Sequence, residues 1–95
     1  MDNLDRLYGH LIDAQDYIDR VMLSSAKMSL MACEGLLIDC IDEYADVNKM
    51  FKEIRAIKQN LKRWTIYKSE RDALVDKLED MLDECVAWMD CRRVA

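Results

Sequence analysis

Cysteine and histidine are the side chains of this chain best suited to metal binding or nucleophilic chemistry. The sequence has four cysteines and a single histidine, His10. Cys33 and Cys40 lie seven residues apart, and no pair of cysteines has the C-x-x-C spacing of a zinc site. Their places on an apolar seam, shared by Cys85, are typical of small buried thiols. Cys91 lies near the end of its helix, where the helix dipole disfavours a thiolate. The pattern therefore predicts no metal site, no cofactor and no cysteine nucleophile.

Acidic residues recur at helical spacing in the first half of the chain. Asp13, Asp16 and Asp19 share one helical face, and residues 42–47 contain Glu43 and Asp46 in an E-x-x-D pattern. This segment resembles the second metal-binding segment of the all-α nucleotide pyrophosphohydrolases. The resemblance implies that both carboxylates hold Mg²⁺ against nucleotide phosphates, since hard cations prefer oxygen ligands. The family's first segment has a pair of glutamates, whereas here the three aspartates stand upstream and no glutamate pair occurs. The alternative interpretation is a solvated face that repels nucleic acid and meets the basic part of the chain.

The central segment combines cations with aromatic rings. Residues 48–71 carry eight basic and two acidic residues, whereas residues 1–47 carry ten acids and three bases. Lys52 and Arg55 share one helix face. A cation–aromatic cluster follows, which consists of Lys62, Arg63, Trp64, Tyr67 and Lys68. Nucleic-acid grooves pair cations with phosphates and stack bases on rings, so one hypothesis is a nucleic-acid-binding bundle that uses residues 49–71. The other is ion pairing between helices, with the rings closing the end of a bundle.

The composition restricts the fold to helices. The 95 residues include no proline and two glycines, the residues that β-turns favour most. Hydrophobic residues make up 52% of the chain, which is too many for a disordered protein. We predict one all-α domain over residues 1–95. The absence of a run of about 18 apolar residues predicts no membrane span. The acidic start MDNLD is unlike a signal peptide, and reduced cysteines then predict a cytoplasmic protein.

The spacing of apolar residues predicts three helices. Helix A, about residues 3–22, begins at a cap, Asp2 or Asn3, and its seam is Leu4, Leu7, Leu11, Ala14, Ile18 and Val21. Ser24 and Ser25 predict a turn. Helix B, about 25–63, would be divided by a kink near Asp46, and its seam is Leu30, Cys33, Leu37, Cys40, Tyr44, Val47, Phe51, Ile54, Lys58 and Leu61. Helix C, about 70–92, ends with Arg92 and Arg93 at the negative pole of its dipole, and its seam is Val75, Leu78, Leu82, Cys85 and Met89.

The helix lengths predict how the helices pack. Helices A and C together are about as long as helix B. We therefore expect an antiparallel three-helix bundle with B as the long central helix. Acidic helix C would cover the basic second half of B. Residues 30–45 are apolar nearly all round, which indicates burial on several sides, and a second copy of the chain is the simplest cover. We therefore predict a homodimer through coiled-coil-like seams, in which the polar seam residue Lys58 sets the register or the number of partners.

These observations favour a non-catalytic protein-interaction module over an enzyme. Segregated charge on a small helical protein would steer a partner protein and set specificity. The composition is similar to that of small bacteriophage and mobile-element regulators that inhibit a host complex, as in counter-defence. A structural or chaperone-like bundle, the pyrophosphohydrolase-like enzyme and the nucleic-acid-binding bundle stay as alternatives. The expected partner-binding residues are Asp13, Asp16, Asp19, Lys52, Arg55, Lys62, Arg63, Trp64, Tyr67 and Lys68.

Overall fold

The chain folds into helices joined by short connections. A computed structural model describes the backbone of residues 2–94 and the side chains of residues 2–91. No strand occurs in that part of the chain, so the all-α prediction is confirmed. Met1, Ala95 and the side chains of Arg92 and Arg93 lie outside the described residues. The elements in chain order are α1 (Asn3–Asp19), α2 (Leu23–Asp39), α3 (Val47–Asn60), a 3₁₀ turn (Arg63–Thr65) and α4 (Lys68–Val94).

Helix α1 begins at the cap expected from the sequence. The Asp2 carboxylate oxygen Oδ1 accepts hydrogen bonds from the backbone N–H groups of Leu4 at 2.9 Å and Asp5 at 3.1 Å. These bonds satisfy two of the N–H groups that a helix start leaves without a partner. The start of α1 is therefore stabilised by the side chain of the residue that precedes it.

The turn between α1 and α2 lies earlier than the serines suggested. The backbone N–H of Met22 donates to the Tyr17 carbonyl at 2.7 Å and that of Val21 to the Ile18 carbonyl at 3.0 Å. This pair of bonds is a Schellman motif, which needs a left-handed residue after the helix. Val21 takes that position with a φ of 58°, although its seam spacing predicted burial. Ser24 and Ser25 instead lie in the first turn of α2.

The expected helix B is two helices, so the described chain has four α-helices and not three. Helix α2 ends at Asp39, and residues 40–46 form an irregular connection. Asp46 has a φ of 66°, a left-handed conformation through which a right-handed helix cannot continue. The kink anticipated near this residue is therefore a complete break. It also shifts the phase of the seam, since α3 and its end bury Val47, Met50, Ile54, Ile57 and Leu61.

The core lies between the helices, and α1 packs against both α2 and α4. Gln15 Nε2, late in α1, donates to the Val75 carbonyl at 3.0 Å, while the Cys85 thiol donates to the Leu4 carbonyl at 3.5 Å. Because these contacts join the end of one helix to the start of the other, α1 and α4 run antiparallel. The fully buried large side chains include Leu7, Leu11, Ile18, Leu30, Leu37, Ile54, Ile57 and Leu78.

The bundle is elongated, with extents of 43 × 22 × 19 Å, and its two ends differ in charge. One end contains the α1–α2 turn, the start of α2, and the segment from the end of α3 to the start of α4. We call it the basic end, because residues 20–27 and 58–71 hold seven basic residues and one acidic residue. The other, the acidic end, contains the start of α1 and the α2–α3 connection, where residues 39–46 hold four acids and no base. No described helix is both long and apolar enough to cross a membrane.

Candidate interaction surfaces

The cation–aromatic cluster lies at the basic end, and the fold divides it. Trp64 is half-buried and packs against the core. The Thr65 hydroxyl donates to the Leu61 carbonyl at 2.7 Å, and Arg71 Nη1 donates to the Thr65 carbonyl at 3.1 Å. These bonds hold the 3₁₀ turn in place. Trp64 therefore covers the core at this end of the bundle, whereas Tyr67, the other ring expected to close it, is exposed.

The rest of the cluster faces solvent around an apolar tip. Ile66 and Tyr67 are 64% and 65% exposed, and Val21 and Met22 of the neighbouring turn are also exposed at this end of the bundle. We call these four residues the apolar tip. Lys62 and Arg63 are exposed and make no ion pair with any residue that the structure describes, whereas Lys68 pairs with Asp72 at 3.1 Å. Ile66, Val21 and Met22 were not expected here, because only the rings and the charges of this end give a signal in the sequence.

A basic pocket of about 280 Å³ adjoins the basic end. Helix α2 starts there with no acid in its first turn, and no side chain among the described residues caps it. Its first backbone N–H groups therefore keep their hydrogen-bonding capacity and their partial positive charge. This environment favours a carboxylate brought by another molecule. The lining residues are Leu23, Ser24, Lys27, Lys58, Gln59, Leu61 and Lys62.

Lys58 makes a half-buried ion pair inside the chain. Its Nζ lies 2.6 Å from Oε1 of Glu34 in α2, and the two side chains are 21% and 13% exposed. That oxygen has no hydrogen-bond partner of good geometry in the described structure. The pair therefore neutralises part of the basic pocket and ties α2 to α3. Lys58 was expected to set register through a seam, and in the structure its partner is an acid of the same chain.

The remaining predicted charges do not form one surface. Asp13, Asp16 and Asp19 are exposed on α1, where Asp16 pairs with Arg20 at 3.2 Å. Lys52 and Arg55 are exposed on α3 and make no ion pair in the part of the chain that the structure describes. The expected ionic cover of basic helix B by acidic helix C is therefore wrong for these two residues. A groove of about 230 Å³ separates α3 from α4, and its lining is Asp46, Lys49, Met50, Glu53, Lys77, Asp80, Met81 and Glu84.

The E-x-x-D segment lies at the acidic end. Glu43 and Asp46 are exposed and belong to the α2–α3 connection, so they do not share a helix face. The described residues contain no group of three or more histidine, cysteine, aspartate or glutamate side chains placed to hold a metal ion. The connection is held to α4 by Trp88, whose Nε1 donates to the Ala45 carbonyl at 3.1 Å and whose ring stacks on Tyr44. The aromatic pair gives this segment a structural role.

The burial of each cysteine agrees with the prediction from the seam spacing. Cys33, Cys40 and Cys85 are buried, and Cys91 is exposed. Burial raises the pKa of the Cys33 thiol from 9.0 to about 12 and that of Cys85 to about 11, with smaller contributions from nearby acidic groups. These two thiols are therefore protonated and unreactive at neutral pH.

Helix α2 exposes apolar side chains on the face opposite the core. Met28 is 72% exposed, and Met31 and Ile38 are both more than half exposed. Gly35 lies between them on the same face, and a Cβ atom built there would meet nothing within 4 Å. We call Met28, Met31, Gly35 and Ile38 the α2 stripe. The sequence pattern had indicated burial of this region on several sides, and the single chain leaves one of those sides open.

Comparison with known proteins yields no match: no family model fits this chain, and no curated protein or solved structure shows significant similarity to it. Function is therefore inferred from the chemistry of these surfaces.

Proposed function

We propose that this chain is a non-catalytic interaction module that binds a partner protein through its basic end. The observation that carries the proposal is the exposure of Ile66 and Tyr67 near the cations Lys62 and Arg63, which make no ion pair within the described part of the chain. Protein interfaces place aromatic and large apolar side chains at their centre and charged side chains at the rim. Exposure of both apolar side chains to water has no benefit for the folded monomer, so their burial against a partner is the simplest account.

The chemistry of this end defines the partner. It must offer an apolar pocket for the Ile66–Tyr67 pair and acidic side chains around it. Electrostatic attraction would steer such a partner toward the basic end over about a Debye length. One carboxylate of its acidic rim would fit the basic pocket. The module acts in the cytoplasm as a homodimer. It is a regulator or inhibitor, of the bacteriophage or mobile-element type, that binds a partner complex. The segregated charge supports binding of a partner, and the open α2 stripe supports the homodimer.

Affinity capture with a matched control tests this function. The tagged full chain, an Ile66→Ser/Tyr67→Ser variant and an Ile12→Ser variant are each incubated with a bacterial lysate. Ile12 is exposed on α1, away from the basic end, so its variant controls for the loss of exposed apolar surface. We expect one stoichiometric protein that the tip variant loses by at least about tenfold, since central aromatic anchors dominate binding. Recovery of no such protein, or equal loss with the control, would contradict the proposal.

A second candidate function is nucleic-acid binding, which the seven basic residues of the basic end favour. Phosphate contacts would make oligonucleotide affinity fall steeply with salt. Fluorescence anisotropy with single- and double-stranded oligonucleotides separates the two functions. Tight, salt-dependent binding that Lys62→Gln/Arg63→Gln abolishes would support the second candidate over the first.

A further inference from the structure

We propose that the α2 stripe is the seam of a two-fold dimer in which the α2 helices of two copies pack antiparallel. The inference rests on the homodimer of the proposed function and names its seam and orientation. The stripe residues Met28, Met31, Gly35 and Ile38 follow steps of three, four and three. That spacing is the signature of a helix that packs against another helix. The opposite face of α2 already packs within the chain, through Ala26, Leu30, Cys33 and Leu37.

The sizes of the stripe residues complement each other in an antiparallel pair. With the two-fold axis level with residue 33, Met28 lies beside Ile38 of the second copy. The same axis sets Met31 beside Gly35 of the second copy. A large side chain then fills the space that the glycine leaves, and the absent Cβ lets the helix backbones approach closely. A parallel pair would instead set glycine against glycine and leave a gap between layers.

Charge complementarity also selects the antiparallel orientation. Each copy is basic where α2 starts and acidic where α2 ends. Antiparallel packing brings the basic end of one copy alongside the acidic end of the other, with Lys27 level with Asp39 of the second copy. The dipoles of the two α2 helices then also oppose each other favourably. A parallel pair would set the acids of residues 39–46 against the same acids of the second copy, which costs free energy.

Sedimentation of the full chain tests whether the stripe forms a dimer. We expect a species of twice the 11.2 kDa chain mass at micromolar to submillimolar concentration. Met31→Glu should raise the dimer dissociation constant by at least about tenfold, since a charge would be buried in the seam. Ile12→Glu, a similar change at an exposed site on α1, should leave it within about twofold. Both sites are exposed in the single chain, so circular dichroism should show an unchanged fold.

A charge-pair rescue tests the orientation. Met28→Lys and Ile38→Glu should each weaken the dimer, because each puts an unpaired charge into the seam. Combined in one chain, they should restore it, since the antiparallel register sets each lysine beside the glutamate of the second copy. A parallel dimer would set lysine against lysine and glutamate against glutamate, so the double variant would be the weakest of all.

The possible outcomes separate the inference from the proposed function. A dimer that Met31→Glu does not weaken, or a double variant weaker than both single variants, overturns the seam or its orientation while the homodimer stands. A chain that is monomeric at submillimolar concentration overturns both the inference and the homodimer. In that case binding of a partner by the basic end is still judged by the Ile66→Ser/Tyr67→Ser capture, because those residues lie outside the stripe.

Discussion

Individual buried thiols couple the stability of this protein to pH. Burial raises the pKa of Cys33 from 9.0 to about 12 and that of Cys85 to about 11. Between pH 9 and the raised pKa values, the two thiols of the folded chain keep protons that the same thiols of the unfolded chain have lost. The free energy of unfolding should therefore be unaffected by these thiols below pH 9 and fall as the pH rises above it. The slope is at most roughly 1.4 kcal/mol per pH unit for each thiol.

Urea denaturation at a series of alkaline pH values measures that slope. Lysine and tyrosine side chains titrate in the same range, so the informative quantity is the difference between variants. Cys33→Ala should reduce the slope, whereas Cys91→Ala, at an exposed site, should preserve it. Equal slopes in all three proteins would show that burial of Cys33 is not the source.

The Glu34–Lys58 pair should be worth more than the ion pairs at the surface. Lys58→Met would leave a largely buried carboxylate without its cation, so we expect a loss of about 2 kcal/mol in the free energy of unfolding. Lys68→Met breaks an exposed pair and should cost less than about 0.5 kcal/mol. The double variant Glu34→Leu/Lys58→Met should recover most of the loss, since it removes both charges. A double-mutant cycle in urea checks the coupling, and additive costs would argue against it.

Single-residue roles were predictable where they depended on local spacing. The Asp2 cap and the buried cysteines follow from positions along one helix, and the structure has both. The partner of Lys58 was not predictable, because Glu34 lies 24 residues away and on another helix. Exposure of Ile66 and Tyr67 depends on how the 3₁₀ turn leaves the bundle, which no periodic pattern encodes. The candidate surface was therefore located from its charges, while its apolar centre required the fold.

Among the structural elements, the α1–α2 turn carries strain that a single substitution should relieve. Val21 holds a φ of 58° in a position that glycine normally occupies. A β-branched residue pays roughly 1–2 kcal/mol for that conformation. Val21 is half exposed, so its side chain contributes little burial. Val21→Gly should therefore raise the free energy of unfolding by about 1 kcal/mol, or the Tm by roughly 4–8 °C.

A matched substitution in a regular helix controls for the flexibility of glycine. Val86 is exposed to a similar degree but lies within α4, so Val86→Gly should lower stability by about 1 kcal/mol. Thermal unfolding followed by circular dichroism compares the two variants. If both lower the Tm, the left-handed position at Val21 stores no strain that glycine relieves.

The helices themselves were easier to predict than their boundaries. The seam of α1 is buried from Leu4 to Ile18 as its spacing indicated, because that helix is unbroken. The predicted seam of helix B continues across residues 40–46. In the structure the chain is not helical there, and α3 begins in a different phase. Met50 and Ile57 are buried in place of Phe51 and Lys58 for that reason. Residues 40–46 contain neither glycine nor proline, so the usual signal for a break is absent.

For the molecule as a whole, the fold converts charge blocks along the sequence into charge at two ends. Sequence alone predicted that acidic helix C would cover the basic second half of helix B. The groove between α3 and α4 and the pairing of Lys58 with Glu34 show a different arrangement. The helices run back and forth, so the basic residues of the α1–α2 turn and of the α3–α4 connection meet at one end, while the acids of the α2–α3 connection lie at the other. The connections at each end therefore carry mostly charge of one sign, although the ion pairs Asp16–Arg20 and Lys68–Asp72 also lie at the basic end.

This polarity predicts opposite effects of salt on folding and on self-association. Salt screens charges over about 30 Å at 10 mM and about 8 Å at 150 mM. Within one copy it mainly relieves repulsion inside each end, so the Tm of dilute chain should rise with salt. In the antiparallel dimer unlike ends lie side by side, so the dissociation constant should also rise. Thermal unfolding and sedimentation over the same salt series measure both. Asp42→Asn/Glu43→Gln removes two charges from the acidic end and should flatten both trends, because the same crowded acids cause the repulsion and attract the second copy.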